Sequence, residues 1–303
     1  MAHETAGLPA TEAVDPATQT IDTLEPALLA LTLVQAHERA VTAAIVAAPE
    51  LGAAIEAVAA ALRAGRSVYA IGAGTSGRLA VLDAAELPPT FGVAPDTVTA
   101  VIAGGEAALR RGIEGAEDDA DAGAAALASA RLGDVAIGIS ASGGAPFVVA
   151  ALRAARAAGA TTIAIVNGPG APLLAEAALA IVLETAAEPI AGSTRLVAGT
   201  AQKIALNTIS TGAMIRLGKT YRNRMVDLIV TNAKLRARAE RLVAELGETP
   251  IEIAALTLDA AGGEVKTAIA MARCGFDAQE ARAALAVSNG RLAPILERAS
   301  RDT

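Results

Sequence analysis

Two loops of this sequence combine glycine with hydroxyl side chains, and each directly follows an apolar run typical of a buried strand. The first loop occupies residues 72–77 and the second occupies residues 140–144. Glycine lets the backbone approach an anion, hydroxyl groups add hydrogen-bond donors, and the dipole of a following helix favours phosphate. We therefore predict a phosphate site at these loops that needs neither a metal ion nor a lysine. The substrate-binding residues predicted in them are Gly74, Thr75, Ser76, Ser140, Ser142 and Gly143.

The first loop also fits the pattern G-x-G-x-x-G, the fingerprint of dinucleotide-binding folds. That interpretation expects an acidic residue at the end of the next strand, where the sequence has Gly104 and Gly105, with Glu106 only after them. Each loop by itself is also compatible with an ordinary strand-to-helix turn in which a serine caps the helix. Two such loops at one edge of a single sheet favour phosphate binding over both alternatives.

Two acidic segments are candidates for general acid–base chemistry. Glu86 lies shortly before Pro88, and because a proline disfavours helical geometry in the residue before it, we expect a helix to end around Glu86. The negative end of the helix dipole disfavours an ionised acid there, which suits a proton donor. The second segment, residues 114–119, contains Glu114 and Glu117. Most of its acids are expected on a solvent-exposed helix face.

Composition excludes several other classes of function. The 303 residues include 25 basic and 32 acidic side chains, a formal net charge of −7, and only 2% aromatic residues. Neither nucleic acid nor an anionic membrane is therefore an expected partner. Cys274 is the single cysteine, and His3 and His37 are the only imidazoles. An internal disulfide, a metal centre and a Ser-His-Asp triad are not expected, and we predict no cofactor.

Hydrophobic patterning predicts the elements that position these residues. Short apolar runs alternate with alanine-rich helical stretches, which predicts an α/β fold with a five-stranded parallel sheet and helices on both faces. Ligands bind such sheets at the carboxyl ends of the strands, where both loops fall. The predicted strands are residues 67–71, 97–103, 134–139, 161–166 and 179–183.

The rest of the chain is predicted to be helical beyond a loose arm at residues 1–20, with no strand after residue 199. We expect helices at residues 24–48, 52–62, 200–217 and 230–246, and three or four short ones after residue 247. The predicted domains are an N-terminal arm and helix (1–51), the sheet domain (52–218), a connecting helix (219–246) and a small helical C-terminal domain (247–303). Because neither a signal peptide nor an unbroken apolar span is evident, a cytoplasmic location is expected.

The sequence resembles the N-acetylmuramic acid 6-phosphate etherase family, which has the sugar isomerase (SIS) fold. The resemblance covers almost the whole chain, and it includes the glycine loop, the acid with its double proline, and Thr11-Glu12 in the arm. It implies that the sheet domain is an SIS phosphosugar-binding domain. The matching stretches are residues 71–79, 82–92, 102–106, 114–118, 193–195, 198–203, 206–212, 223–227, 231–235 and 262–269.

The resemblance implies a reaction and assigns roles within it. The family cleaves the D-lactyl ether of N-acetylmuramic acid 6-phosphate by elimination and water addition, in the recycling of cell-wall amino sugars. The resemblance assigns the proton donor to Glu86 and a second active-site acid to Glu117 rather than Glu114, and it adds Ser193 and Arg195 to the substrate-binding residues. It also implies a phosphorylated amino sugar as substrate, a homodimer with composite sites, and no metal or cofactor.

Three positions depart from the family pattern and leave alternatives open. Gly144 and Ala145 stand where the family usually has a basic residue and a hydroxyl, and Val197 stands where it usually has lysine. A lyase for a related 3-O-substituted sugar phosphate is therefore one alternative. A non-catalytic phosphosugar-binding regulatory protein, similar to the glucokinase regulatory protein, is another, but the presence of both Glu86 and Glu117 favours an enzyme. A sugar-phosphate isomerase would need a better-placed lysine or histidine base.

Overall fold

The computed structural model describes residues 10–230 and 232–299. The chain divides into two compact units. The first unit contains the chain up to Ala85 together with Asp96–Gly212, and the second contains Glu86–Pro95 together with the chain from Ala213 onward.

The first unit is built on a parallel sheet of five strands, which confirms the predicted fold class. The strands are β1 (Val68–Gly72), β2 (Val98–Ile102), β3 (Val135–Ile139), β4 (Thr161–Val166) and β5 (Leu179–Val182). They lie in the order β2-β1-β3-β4-β5, and Gly72 at the end of β1 pairs with Ile139 at the end of β3. Because the strand order reverses between β1 and β3, their carboxyl ends flank the switch point where open parallel sheets bind ligands.

Helices surround this sheet and fill its core with aliphatic side chains. Val148, Ala151 and Leu152 belong to one buried cluster with Ile71 of β1. The low aromatic content is thus compatible with a dense core, because branched side chains pack well on both faces of a parallel sheet. The helices that begin in this unit are α1 (Pro26–Ala36), α2 (Glu38–Val46), α3 (Ala48–Arg63), α4 (Gly74–Phe91), α5 (Ala120–Ala126), α6 (Pro146–Ala157) and α7 (Val197–Arg216).

The N-terminal arm is not loose where the structure describes it. Residues 10–23 form three short 3-10 turns, and Thr11 is buried. The carbonyl of Thr11 accepts a hydrogen bond from the main-chain N–H of Gly192. The prediction of a loose arm is therefore wrong for this segment, because its backbone is paired with a distant turn. The first nine residues of that prediction lie outside the described residues.

The predicted helix at residues 24–48 is two helices with a break at His37. The ring atom Nδ1 of His37 lies 2.8 Å from the carbonyl oxygen of Leu33. In an unbroken helix, that carbonyl would accept the main-chain N–H of His37. That N–H instead bonds to the carbonyl of Val34. A side chain that competes for a helical carbonyl bends the helix. The next helix, α3, begins at Ala48 rather than near residue 52, because Pro49 is tolerated in a first turn.

Helix α4 does not end near Glu86, so that prediction is wrong. It runs to Phe91 and contains Pro88 and Pro89. Leu87 and Phe91, one turn apart on the same face, are 3% and 7% exposed. Their burial outweighs the two main-chain hydrogen bonds that proline removes, which shows tertiary packing overriding a local preference.

The second unit is helical except for one small hairpin that the sequence did not predict. Strands β6 (Thr220–Tyr221) and β7 (Arg224–Met225) pair in antiparallel fashion, and two-residue strands carry no readable periodicity. The helices beyond them enclose a separate buried core. Three or four short helices were expected after residue 247, and the structure has four. The helices are α8 (Ala233–Gly247), α9 (Ile251–Ala260), α10 (Val265–Cys274), α11 (Ala278–Val287) and α12 (Ala293–Ala299).

Within the described residues, no single helix combines the length and the apolar character needed to cross a membrane. The bent pair formed by Pro26–Val46 and Ala48–Arg63 passes that test only when its two parts are counted together.

Candidate active site

The loop between β1 and α4 is a tight turn that only glycine permits at two positions. A Cβ atom on Gly72 would lie 2.6 Å from the main-chain nitrogen of Gly77, and one on Gly77 would lie 2.6 Å from Cγ1 of Ile102. Helix α4 begins at Gly74, directly after this turn. The amides of its first turn have no partner within the helix, so they are available to an anion at the carboxyl edge of the sheet.

The loop between β3 and α6 holds its serine hydroxyls as acceptors. Oγ of Ser140 accepts the main-chain N–H of Gly143 at 3.1 Å, and Oγ of Ser142 accepts that of Gly144 at 3.2 Å. A hydroxyl that accepts a hydrogen bond still has its own hydrogen to donate. Ser140 and Ser142 can therefore each donate to an anion without losing the contact that shapes the loop.

The two loops face a common cleft of about 650 Å³ in the first unit. The cleft also receives side chains from a 3-10 turn, Ala116–Asp118, where Glu117 and Asp118 line it and Glu114 does not. Among the residues that the structure describes, no lysine or arginine lines it, and Gly144 and Ala145 form part of its wall. The residues predicted from the sequence that line this cleft are Gly74, Thr75, Ser76, Ser140, Ser142 and Glu117.

Four of the predicted site residues lie elsewhere. Gly143 is buried beneath its loop. Ser193 and Arg195 line a neighbouring cleft of about 450 Å³, and Thr194 between them lines the cleft with the serine loops. Glu86 is exposed and is not among the lining residues.

A chain of buried hydrogen bonds supports the first loop from behind. The hydroxyl of Ser76 donates to Oε1 of Gln202 at 2.8 Å, and Nε2 of Gln202 donates to Oδ1 of Asn167 at 2.8 Å. Asn167 in turn donates to groups that follow β5, among them the hydroxyl of Thr185. Because the hydrogen of Ser76 is used inside the protein, Ser76 shapes the loop, whereas Ser140 and Ser142 are free to donate outward.

Sequence reasoning missed Gln202 and Asn167. Asn167 directly follows β4, so its place at the carboxyl edge of the sheet was readable in principle. Gln202 stands in the middle of a long helix, and only the three-dimensional contact reveals that this uncharged amide is buried. Buried amides are retained in proteins when their hydrogen-bonding groups are satisfied, as these are.

A buried carboxylate fixes the turn that carries Thr194. Glu188 is 1% exposed, and its two carboxylate oxygens accept the main-chain N–H groups of Val197 and Ala198, each at 2.9 Å. The carboxylate therefore caps the N-terminus of α7, where the helix dipole also favours a negative charge. Val197 is fully buried, so its side chain does not reach the cleft.

Asp83 is a second acid that joins α4 to α7. Its Oδ1 accepts hydrogen bonds from Nδ2 of Asn207 at 2.5 Å and from the hydroxyl of Ser210 at 3.0 Å. Burial raises the pKa of Asp83, although the two hydrogen bonds and the charge of Lys203 act in the opposite direction. Through these two hydrogen bonds Asp83 holds its part of α4 against α7.

The chemistry available in the cleft is that of hydroxyls, main-chain amides and carboxylates. Within residues 10–230 and 232–299, no group of three or more histidine, cysteine, aspartate or glutamate side chains is arranged to hold a metal ion. Amides and hydroxyls bind an anion without a cation, and a carboxylate beside them can move a proton. The arrangement is thus suited to proton transfer on a phosphorylated molecule.

Comparison with known proteins gives consistent matches. The model of the glucokinase regulatory protein N-terminal SIS domain matches residues 50–156, and the SIS domain model matches residues 114–211. The chain is 49% identical to the N-acetylmuramic acid 6-phosphate etherase of Deinococcus radiodurans, with 94% of each chain covered. It is 47% identical to that of Gloeobacter violaceus, covering 96% of this chain and 95% of the relative. Identity to that of Aeromonas hydrophila is 46%, covering 92% and 95%.

Proposed function

This chain belongs to the family of N-acetylmuramic acid 6-phosphate etherases, and we propose that it cleaves the D-lactyl ether of N-acetylmuramic acid 6-phosphate. The products are N-acetylglucosamine 6-phosphate and D-lactate, so the protein is a carbon–oxygen lyase of amino sugar recycling. The observation that carries this assignment is the cleft itself, which joins two serine–glycine loops to the carboxylate of Glu117 at the switch point of the sheet.

The phosphate binds at the two loops. The first-turn amides of α4 and the hydroxyls of Thr75, Ser140 and Ser142 converge on one cleft. Hydrogen bonds from neutral donors to a charged acceptor are stronger than those between neutral groups. These hydrogen bonds stabilise the phosphate charge in a cleft that no described cationic side chain lines. They also hold the sugar with its reactive carbons toward Glu117.

The carboxylates carry out the elimination. In the open-chain sugar the C2 proton is acidic because it lies next to the aldehyde, and Glu117 takes it. The electron pair forms the C2–C3 double bond, the C3–oxygen bond breaks, and Glu86 protonates the departing lactate oxygen. Water then adds at C3 of the unsaturated aldehyde, and a proton returns to C2. Two carboxylates in different surroundings can divide these roles.

We further propose that the protein works as a homodimer with composite sites. Helices α1 and α2 expose a row of apolar side chains, with Val34 and Ile45 at 69% and 68% exposure. An apolar face of this kind is characteristic of a surface that another chain covers. Glu86 is exposed and stands outside the cleft, so a second copy is the means by which it reaches substrate.

The charge of the proposed substrate indicates where in the cell the protein acts. A sugar phosphate is multiply charged and does not cross a bilayer unaided, so we propose that the enzyme acts in the cytoplasm on a sugar that is phosphorylated there or on entry.

The deciding experiment is to incubate the purified protein with N-acetylmuramic acid 6-phosphate and to measure D-lactate. Unphosphorylated N-acetylmuramic acid is the matched control for the phosphate site, and Glu117→Gln is the control for contaminating activity. Stoichiometric release of D-lactate by the unaltered protein alone supports the proposal. No release under conditions in which the protein binds the substrate contradicts it.

A regulatory, non-catalytic role is the second candidate. It is favoured by the match of residues 50–156 to the glucokinase regulatory protein domain. Calorimetry with N-acetylglucosamine 6-phosphate combined with the D-lactate assay separates the two, since both candidates bind the phosphosugar but only the enzyme releases D-lactate from the ether.

A further inference from the structure

The N-terminal arm contributes a carboxylate to the cleft. Glu12 lies in the 3-10 turn Ala10–Glu12, and it lines the same cleft as Ser76, Ser142 and Glu117. Its sequence position, 60 residues before the first glycine loop, gave no reason to place it there. The arm thus belongs to the wall of the site.

The position of Glu12 is fixed by its neighbours. Thr11 is 2% exposed, and its carbonyl oxygen accepts the main-chain N–H of Gly192 at 3.2 Å. Gly192 has a φ of +73°, and a Cβ atom there would lie 2.8 Å from Oε2 of Glu12. The positive φ favours glycine at this turn, and the short distance shows that the carboxylate of Glu12 lies directly against it, while the side chain of Glu12 stays exposed to the cleft.

The charge pattern of the cleft limits what Glu12 can contact. The acids Glu12, Glu117 and Asp118 line it, and no basic side chain does. A carboxylate repels both the phosphate and the lactyl carboxylate of the proposed substrate. Glu12 can therefore contact only the neutral hydrogen-bond donors of that substrate, which are the sugar hydroxyls and the acetamido N–H. An ionised carboxylate is a strong acceptor for such donors.

We propose that Glu12 is a substrate-recognition residue whose carboxylate accepts hydrogen bonds from the hydroxyl or amide donors of the sugar. This inference rests on the proposed function for the identity of the sugar. In this role Glu12 selects sugar phosphates over other phosphates, because it adds affinity for the sugar and none for the phosphate. It is not assigned a proton-transfer step.

Calorimetry with two probes tests this assignment. N-acetylglucosamine 6-phosphate carries both the sugar donors and the phosphate, whereas inorganic phosphate carries only the latter. Losing a hydrogen bond to a charged group weakens binding by about 10- to 100-fold. We expect Glu12→Ala to lose that much affinity for N-acetylglucosamine 6-phosphate and Glu12→Gln to lose less, with inorganic phosphate affinity unchanged or increased in both. Glu25→Gln is the matched control, because Glu25 is an exposed acid that closely follows the arm and lies outside the cleft.

The outcomes separate the roles that Glu12 could have. Parallel losses of affinity for both probes mean that Glu12 only supports the turn at Gly192, and unchanged affinity for both means that it contacts no ligand. Either result overturns the proposal. In turnover assays we expect KM to rise while kcat stays within about threefold. A fall in kcat with unchanged product affinity also overturns it, since that is the signature of a proton-transfer group. Because the two probes are bound without turnover, the result stands even if no D-lactate is released.

Discussion

The hydroxyl of Ser76 donates a 2.8 Å hydrogen bond to Oε1 of Gln202, a residue 126 positions further along the chain. This bond ties the loop at the start of α4, where we propose that the phosphate binds, to α7. Gln202 in turn donates a hydrogen bond to Asn167, which directly follows β4. The loop is therefore held before any ligand arrives. Donors that are already in place cost little reorganisation when an anion binds, which favours both affinity and catalysis.

Replacing Gln202 by leucine should destabilise the protein. The change leaves the buried groups of Ser76 and Asn167 without their partner, and an unsatisfied buried polar group costs about 1–3 kcal/mol. The free energy of unfolding from urea titration measures the effect. Lys203→Arg, which keeps the charge at the next and exposed position of α7, is the control and should change stability by less than about 0.5 kcal/mol. If both substitutions changed the free energy of unfolding equally, the buried hydrogen bonds of Gln202 would not contribute to stability.

The sheet and its ligand edge could be predicted because their signals are local. Strands buried on both faces are short apolar runs, and the loops at Gly74 and Ser142 follow two of them directly. The rule that ligands bind at the carboxyl ends of parallel strands then placed both loops at one site. Nothing beyond the order of elements was needed for this part.

The features that were missed depend on contacts between distant segments. The burial of Leu87 and Phe91 carries α4 past two prolines, and the pairing of Thr11 with Gly192 orders the arm. Local rules predict the opposite in both cases, because they count only the preference of the chain and not the surface that it buries. Gln202 was missed for the same reason.

Among the predicted phosphate ligands, we expect Ser142 to contribute more binding energy than Ser76. The hydroxyl of Ser142 is exposed and accepts only a main-chain N–H, whereas that of Ser76 donates to Gln202. Ser142→Ala should lose about 1.5–3 kcal/mol of binding to N-acetylglucosamine 6-phosphate, the value of a hydrogen bond to a charged group. Ser76→Ala should lose less binding and more stability.

Calorimetry and urea unfolding on the same preparations check this ranking. Thr208→Ala, an exposed hydroxyl on α7 outside the cleft, is the control. Unchanged affinity in both serine variants would remove these hydroxyls from the phosphate site.

The titration of Asp83 should be visible in the stability of the protein. Burial raises its pKa in the folded state, so the folded protein retains this proton to a higher pH than the unfolded chain does. The resulting stabilisation is complete below the pKa of the unfolded chain and is lost as pH rises through the raised value. The asparagine of Asp83→Asn cannot titrate. The free energy of unfolding of this variant should therefore rise relative to that of the unaltered protein as pH increases through this range.

Urea unfolding of both proteins at a series of pH values, from below the ordinary aspartate pKa up to 7, measures this difference. One unit of pKa corresponds to about 1.4 kcal/mol. Asp96→Asn, the same change at an exposed acid, is the control for the substitution itself. A relative stability of Asp83→Asn that falls as pH rises would mean that the hydrogen bonds from Asn207 and Ser210 outweigh burial.

The two acids assigned to catalysis should fail in different ways when each is changed to its amide. If Glu86 only protonates the departing lactate, then Glu86→Gln keeps Glu117 as the C2 base and loses elimination. General acid catalysis contributes about 10²- to 10⁴-fold, so kcat should fall by that factor with little change in substrate affinity. In deuterium oxide, substrate recovered from Glu86→Gln should carry deuterium at C2, and substrate recovered from Glu117→Gln should not. Glu114→Gln, outside the cleft, is the matched control.

The pattern of exchange decides the assignment because proton removal and loss of lactate are separate steps. Exchange that is lost in Glu86→Gln and kept in Glu117→Gln would reverse the two roles. Near-normal turnover in both variants would exclude these carboxylates from the reaction altogether. If Glu86 serves the cleft of a second copy, mixing inactive Glu86→Gln with inactive Glu117→Gln should restore activity, because a mixed dimer contains one site with both acids intact. The restored rate should approach about one quarter of the unaltered rate at equal mixing, since half of the dimers are mixed and each has one complete site.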